Sequence, residues 1–419
     1  MYIFVLAVKS ILNRKFTIIL TIFSIALSVM LLLGVERLRN DARESFANTI
    51  SGTDLIVGAR SGQVQLLLYS VFRIGNPTNN VSWKSYQNIS EQRQVAWTVP
   101  LSLGDSHRGF RVLGTNQDYF RHYRYAVDRQ LEFASGNVFE GIFDAVIGAD
   151  VARELGYRPG QEIILAHGTG EVSFVKHTGN PFHVVGILRK TGTPVDRTVH
   201  VSLQGIEAIH VGWENGSPTP GRQYDPNNPQ LYDLQPRAIT AALVGLKSRI
   251  ATFRVQRYIN DYPEEPLLAV LPGVALQELW DTMAIAQQAL LAISVLVVLV
   301  GITGMTTAIL TSLNERRREM AVLRSVGARP WHIFVLFVGE AGVVMGIAAL
   351  AGIVSLYALQ LVARPLIQSR LGLYLPVHPP SLHELILLLA AMAAGMLVGL
   401  VPAYLAYRYS LADGMTIRI

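Results

Sequence analysis

The sequence predicts an α-helical membrane protein with four transmembrane helices and a large α+β extracytoplasmic domain inserted between the first and second. Three observations point there. Half of the 419 residues are hydrophobic while only 16% are charged, a balance found in chains that place part of their length in lipid. Four runs are long and apolar enough to cross a bilayer. Residues 35–283, between the first two runs, instead carry the strand patterns, caps and turn residues of a folded, water-exposed domain.

Taken in order, residues 1–15 (MYIFVLAVKSILNRK) read as a cytoplasmic interfacial helix. The first span is 16–34, FTIILTIFSIALSVMLLLG, which at 1.5 Å per residue reaches roughly 28 Å, near the hydrocarbon thickness. Its apolar core is too long for a signal peptide, and Val35-Glu36-Arg37 offers no small-residue cleavage site, so it is expected to remain as an anchor. The remaining spans are 284–313, 333–360 and 385–407, separated by a segment at 314–332 and a loop at 361–384, with a tail at 408–419. Lysine and arginine in short loops favour the cytoplasm. Lys9, Arg14 and Lys15, then Arg316, Arg317, Arg318, Arg324 and Arg329, then Arg408 and Arg418 all fall on one side under this count. Both termini are therefore expected in the cytoplasm. The net charge of +6 is explained by this placement beside apolar segments, and no nucleic-acid partner is expected.

In the large domain, the first span is expected to continue helically as a stalk until Ser51-Gly52, with a strand from Thr53. Strand-like runs follow at 111–114, 144–148, 162–167, 171–175, 182–188, 198–203 and 240–247. Helices are expected over 149–156, closed by Gly156, and 249–261. SPTPGRQYDPNNPQ (217–230) is a loop. A second stalk helix, 274–288, feeds the second span. The apolar stretch Val64–Gly75 is expected to pack in the core, with a membrane-proximal hydrophobic surface as the other reading.

Catalytic patterns are missing from the sequence. There are no cysteines, so thiolate chemistry is excluded. The glycine clusters lack the lysine of a phosphate-binding loop, His383-Glu384 has no second histidine three residues on, and no serine sits in a nucleophile elbow. The chain is thus not expected to be an enzyme or to bind a cofactor itself. Seven of ten histidines fall between 107 and 210. Among them His167, His177 and His183 are the candidates for a zinc site, although scattered surface histidines are the favoured reading.

Within the spans, Gly342 and Gly346, then Ala391, Gly395 and Gly399, are small residues four apart that suit close helix packing, within the chain or between two copies. Glu340 is an intramembrane acid that should face protein or water, as a structural group or as part of a proton or substrate path.

The most informative stretch is NERRREMAVLRSVGARPWHI, 314–332 plus its neighbours. Its pattern predicts a helix from Asn314 to Val326 closed by Gly327, with Pro330 opening the next. Met320, Leu323 and Val326 form an apolar side that an orienting loop would not need, as if to dock on a cytoplasmic partner.

This stretch resembles the cytoplasmic coupling helix of the FtsX/MacB-like permeases of ABC transporters, the type VII or mechanotransmission group. The layout of one span, a large outer domain and three further spans is similar throughout. VIGADVARELGYRPGQEIILAHG and FHVVGILRKTGTPVDRTVHVSL resemble parts of that family's periplasmic core domain. LVGLVPAYLAYRYSLADGM resembles its C-terminal end, with Ser410–Met415 replacing the usual residues there. The resemblance implies a permease working as a dimer, a homodimer before a heterodimer, with a separate cytoplasmic ABC ATPase dimer that holds the ATP and Mg. A periplasmic partner protein and the membrane lipids are its other implied contacts. The implied work is export, efflux or lipoprotein-type release by mechanotransmission. The implied coupling residues are Glu315, Arg316, Arg317, Arg318, Glu319, Met320, Leu323, Arg324 and Gly327. The alternatives are a stand-alone membrane-anchored binding or sensor protein, metal-linked through its histidines, and, last, a membrane-bound hydrolase.

Overall fold

A computed structural model describes residues 15–408 apart from 127, 169–174, 177–178, 214–223, 326 and 372–376. The N-terminal interfacial helix and the C-terminal tail from 409 lie outside the described residues. The chain divides into two compact units: one gathers residues up to 41, 284–366 and from 375 onward, and the other 42–283 with 367–374.

Among the described residues four helices are long and apolar enough to cross a membrane: α1 (Lys15–Thr49), α2 (Pro272–Ser325), α3 (Pro330–Leu371) and α4 (Leu382–Arg408). The helical unit's core joins Ile25, Val29 and Leu33 of α1, Met305 of α2 and Phe337, Ala341 and Met345 of α3. Two glycines permit this packing. A Cβ on Gly352 would lie 2.8 Å from the Ala26 carbonyl oxygen, and one on Gly395 would lie 2.6 Å from the Met345 methyl. The contact at Gly352 is against backbone, so glycine is what lets α3 meet α1 there, while at Gly395 the end of the Met345 side chain fills the space between α4 and α3.

The helices outrun the expected spans. α1 stops only before Gly52, whose φ of +69° suits glycine. α2 opens on Pro272, where a missing N–H costs nothing, and runs for 54 residues. The expected separate helix at 314–326 is instead the last stretch of α2. No glycine or proline falls between Thr306 and Ser325, so Asn314 does not start a new helix but continues the old one. Likewise α3 runs on to Leu371, through Pro365, into the stretch expected to be a loop.

The other unit is built on a 12-stranded sheet. Its strands are β1 (Leu55–Ala59), β2 (Val95–His107), β3 (Phe110–Thr115), β4 (Phe133–Gly136), β5 (Asp144–Ile147), β6 (Glu162–Ile163), β7 (Ala166–His167), β8 (Val175–Lys176), β9 (Phe182–Leu188), β10 (Thr198–Ser202), β11 (Ala241–Leu246) and β12 (Leu267–Val270). The order is β12-β1-β11-β2-β3-β10-β5-β9-β4, with β7 pairing β2 and β8, and β6 pairing β9. Among the described residues only β3–β10 and β5–β9 are parallel. β2 is the spine: Val95–Leu101 pair with β11, while Ser102–His107 pair with β3. Sequence patterning missed it because Pro100 and Gly104 interrupt the run.

Burial follows the alternation of each strand. Leu55, Val57, Val244 and Leu267 form one core, and Val112, Ala145, Phe182 and Val199 another. A third holds Leu66, Leu67, Tyr69, Val71 and Phe72, so the Val64–Gly75 stretch, helical over Gln63–Ser70, packs inward. His200 of β10 is wholly buried beside the Tyr119 and Phe120 rings. Burial drives its pKa down to about 3, so the ring is neutral.

Candidate functional site

The segment with the basic, apolar-sided pattern has a defined backbone. Residues 314–325 are helical as the end of α2, and Gly327 follows with φ +98°, a left-handed turn that glycine adopts without strain. α3 then starts at Pro330. His332 Nδ1 accepts the Arg329 N–H at 3.0 Å while the His332 N–H donates to the Arg329 carbonyl at 2.9 Å. This reciprocal pair works like a capping box and fixes the angle at which α3 leaves the turn. Trp331, largely exposed, stacks beside Phe334. The side chains of Glu315, Arg316, Arg317, Arg318, Glu319, Met320, Leu323 and Arg324 lie outside the description, as does Val326.

A second cluster ties three helices together at one end of the helical unit. Arg37 of α1 donates from Nε and Nη2 to the two carboxylate oxygens of Glu384 on α4, at 3.0 and 2.7 Å. Both side chains are almost wholly buried, 4% and 2% exposed. The guanidinium also donates to Gln360 of α3 at 3.3 Å and lies over the Tyr357 ring. Glu384 itself caps α4, accepting the Ser381 N–H while its own N–H donates to Ser381 Oγ. Beside this pair, His378 Nε2 meets Asp41 at 2.9 Å, and Tyr357 donates its hydroxyl to the His378 carbonyl at 2.8 Å. The Asp41 hydrogen bond holds the His378 pKa above its ordinary value. Glu36 receives Arg39, Asn40 and, at 3.5 Å, His383. A fork-on-fork ion pair with these neighbours is a rigid joint, because breaking one partner leaves the other charge buried.

Inside the helical unit, Glu340 is buried and lines a small cavity with Thr17, Thr21, Ile309 and Val344. The two small-residue stripes differ. Gly395 and Gly399 of α4 press on Met345 and Ala341 of α3, with Ala391 also buried, whereas Gly342 and Gly346 have nothing within 4 Å of where a Cβ would stand.

The histidines separate as well. His183 of β9 lies 3.9 Å from Glu162, and His177 falls outside the described residues. His167 is not placed with His183 across a hairpin. It sits on β7 facing Asp105 of β2 and His210, because β7 pairs with β2.

Two family models divide the chain between them. The MacB-like periplasmic core domain matches residues 18–259, more than half the chain, and the FtsX-like permease C-terminal region matches 291–411. The chain belongs to the FtsX/MacB-like permeases of ABC transporters. With its four apolar helices, the permease is a multi-pass inner-membrane protein. The macrolide export ATP-binding/permease protein MacB of Marinobacter nauticus is 34% identical to it over 112 residues. That stretch is 27% of the permease and 16% of the relative, so the permease spans only a small part of that protein's length. Two solved structures are similar to it. The periplasmic region of MacB from Actinobacillus actinomycetemcomitans is 9% identical with a TM-score of 0.35, covering 55% of the permease and 94% of that chain. The extracellular domain of the noncanonic ABC-type transporter YknZ from Gram-positive bacteria is 14% identical with a TM-score of 0.31, covering 52% and 99%.

Sequence reasoning about the permease overlooked the Arg37–Glu384 joint. Two signals for it were present: Glu36, Arg37 and Asp41 directly follow the first apolar run, and Ser381-Leu-His-Glu384 is a capping-box pattern opening the last. Neither says that the two carboxylate and guanidinium groups meet.

Proposed function

We propose that the permease couples ATP hydrolysis by a separate cytoplasmic ATPase to movement of its periplasmic domain, for export, efflux or lipoprotein-type release. The observation that carries this is the length of α2. One unbroken helix bears both the basic segment at 314–325 and Trp280, and at 1.5 Å per residue it is roughly 80 Å long. In this reading a displacement imposed on the basic segment is passed along this helix. Within the α+β unit the ends of α1 and α2 are in contact, Phe46 against Trp280 and Arg43 over the same indole, so the two helices are tied there. At the helical unit the Arg37–Glu384 joint ties α1 to α4.

In this reading Glu315, Arg316, Arg317, Arg318, Glu319, Met320, Leu323 and Arg324 meet the ATPase, Gly327 sets the turn, and ATP and Mg stay on the partner. Both termini are cytoplasmic. Two copies work together, and the open Gly342–Gly346 face of α3 favours contact with a second copy.

The test is co-purification of the ATPase with tagged permease from native membranes. Leu323→Asp and Arg324→Glu should each abolish recovery of the ATPase while leaving permease levels unchanged. A complex that survives both substitutions would remove the coupling role and favour a stand-alone sensor.

A further inference from the structure

Asp105, His167 and His210 come from three separate places in the sequence and point at one spot. Antiparallel pairing of β7 with β2 sets His167 opposite Asp105. His210 directly follows the helix Leu203–Ile209, and its Nδ1 is 2.8 Å from the Ile206 carbonyl. A carbonyl only accepts, so Nδ1 carries the hydrogen and Nε2 presents its lone pair. That lone pair lies 3.3 Å from His167 Nδ1 and 3.8 Å from Asp105 Oδ1. His167 Nδ1 is in turn 3.3 Å from the same carboxylate oxygen.

His167 Nδ1 holds at most one hydrogen, and two acceptors, His210 Nε2 and Asp105 Oδ1, lie at the same distance from it. Asp105 is only 4% exposed, and its Oδ1 lacks a well-aligned hydrogen bond, a costly state for a buried carboxylate oxygen. A cation at the centre would satisfy all three atoms at once. With metal–ligand bonds of about 2.0–2.1 Å, neighbouring ligands in a tetrahedron stand about 3.3 Å apart; two of the three distances match this and the third, 3.8 Å, is about half an ångström longer. The fixed His210 tautomer, with its far nitrogen bound to a backbone carbonyl, is the arrangement that orients imidazoles toward metals. The Trp213 ring lies 6.1 Å from both imidazoles and walls the spot.

We propose that Asp105 Oδ1, His167 Nδ1 and His210 Nε2 form a binding site for a divalent transition cation of the zinc class. Two imidazoles and one carboxylate suit zinc over calcium or magnesium, which take oxygen ligands. Among the described residues the group has three members. The site joins β2, β7 and the helix before His210, and its occupation therefore stiffens that part of the domain. It goes beyond the coupling role and does not depend on it.

The test uses the full-length permease in detergent, stripped with EDTA and dialysed. Zinc is titrated against a chromogenic chelator, and Co²⁺ is added separately as a spectroscopic probe. One zinc per chain at micromolar affinity or tighter is expected, with the intense visible bands of four-coordinate cobalt. His210→Ala and His167→Ala should each weaken binding by at least tenfold and abolish the cobalt bands, while His183→Ala should change neither. The His167 side chain is 57% exposed, so its removal does not threaten folding, and far-UV circular dichroism checks this. Zinc should also raise the melting temperature of the parent chain but not of His167→Ala. No binding tighter than roughly 10 µM, on a scale where each tenfold is 1.4 kcal/mol, would overturn the proposal. Equal binding by the parent and both histidine variants would do the same.

Discussion

The two units handle charge in different ways. In the α+β unit several ionic pairs sit at the surface, such as Lys84–Glu264 and Arg189–Glu132, which are largely exposed. His200, wholly buried on the sheet, stays neutral. The helical unit instead buries an opposite pair together, Arg37 and Glu384, which neutralise each other. The difference follows from what surrounds them. Water solvates separate ions cheaply, whereas an ion that leaves water needs either neutralisation or a close, well-oriented partner. Exposed pairs hold little structure, about 0–1 kcal/mol; a buried fork-on-fork pair holds helices in register.

The largest expected effect breaks the helical side of this contrast. Arg37→Ala or Glu384→Ala should each destabilise the detergent-solubilised permease by about 3–5 kcal/mol, because each leaves a buried charge alone. The pair Arg37→Met with Glu384→Leu should recover much of the loss, which thermal melting of single and double variants will show. In contrast, Lys84→Ala should change stability by less than about 1 kcal/mol.

His200 tests the other side. Its folded pKa lies below the unfolded value near 6.5, so the unfolded chain takes up a proton that the folded one refuses. The stability it allows is therefore present above pH 6.5 and is lost as pH falls toward 3, at up to about 1.4 kcal/mol per pH unit. Urea midpoints measured from pH 7 to pH 4 should fall less steeply for His200→Leu than for the parent chain.

Packing provides a smaller, sharper comparison within the helices. Gly395→Leu collides with Met345 and should cost about 1–3 kcal/mol, while Gly342→Leu, into open space, should leave the single chain within about 0.5 kcal/mol. If α3 meets a second copy there, chemical cross-linking of two copies should drop for Gly342→Leu alone.

The smallest effect is expected at His378. Asp41 raises its folded pKa, so this contact contributes below the unfolded value near 6.5 and is lost as pH rises through the raised value. Half-exposed, it should give less than about 1 kcal/mol. Asp41→Asn should flatten that small decline in melting temperature between pH 6 and pH 8.5.

Much of the architecture could be read from local pattern. The four apolar runs, the strand at Phe182–Leu188 and the Gly156 helix stop depend on side-chain periodicity and on glycine's freedom, which a short window contains. The continuity of α2 past Asn314 was harder, because a capping residue is a weak preference that an established helix overrides. β2 escaped because Pro100 and Gly104 disguise a strand whose evidence lies in its partners.

The candidate sites divide along the same line. By itself the chain determined where lipid, turns and the basic segment near 314–327 fall, since hydropathy, charge and backbone freedom belong to each residue wherever it goes. Only the tertiary structure decided that Arg37 meets Glu384 and that His167 meets Asp105 and His210. Those residues are far apart along the chain, and a contact between distant residues comes from helix packing and strand pairing, which no local pattern records.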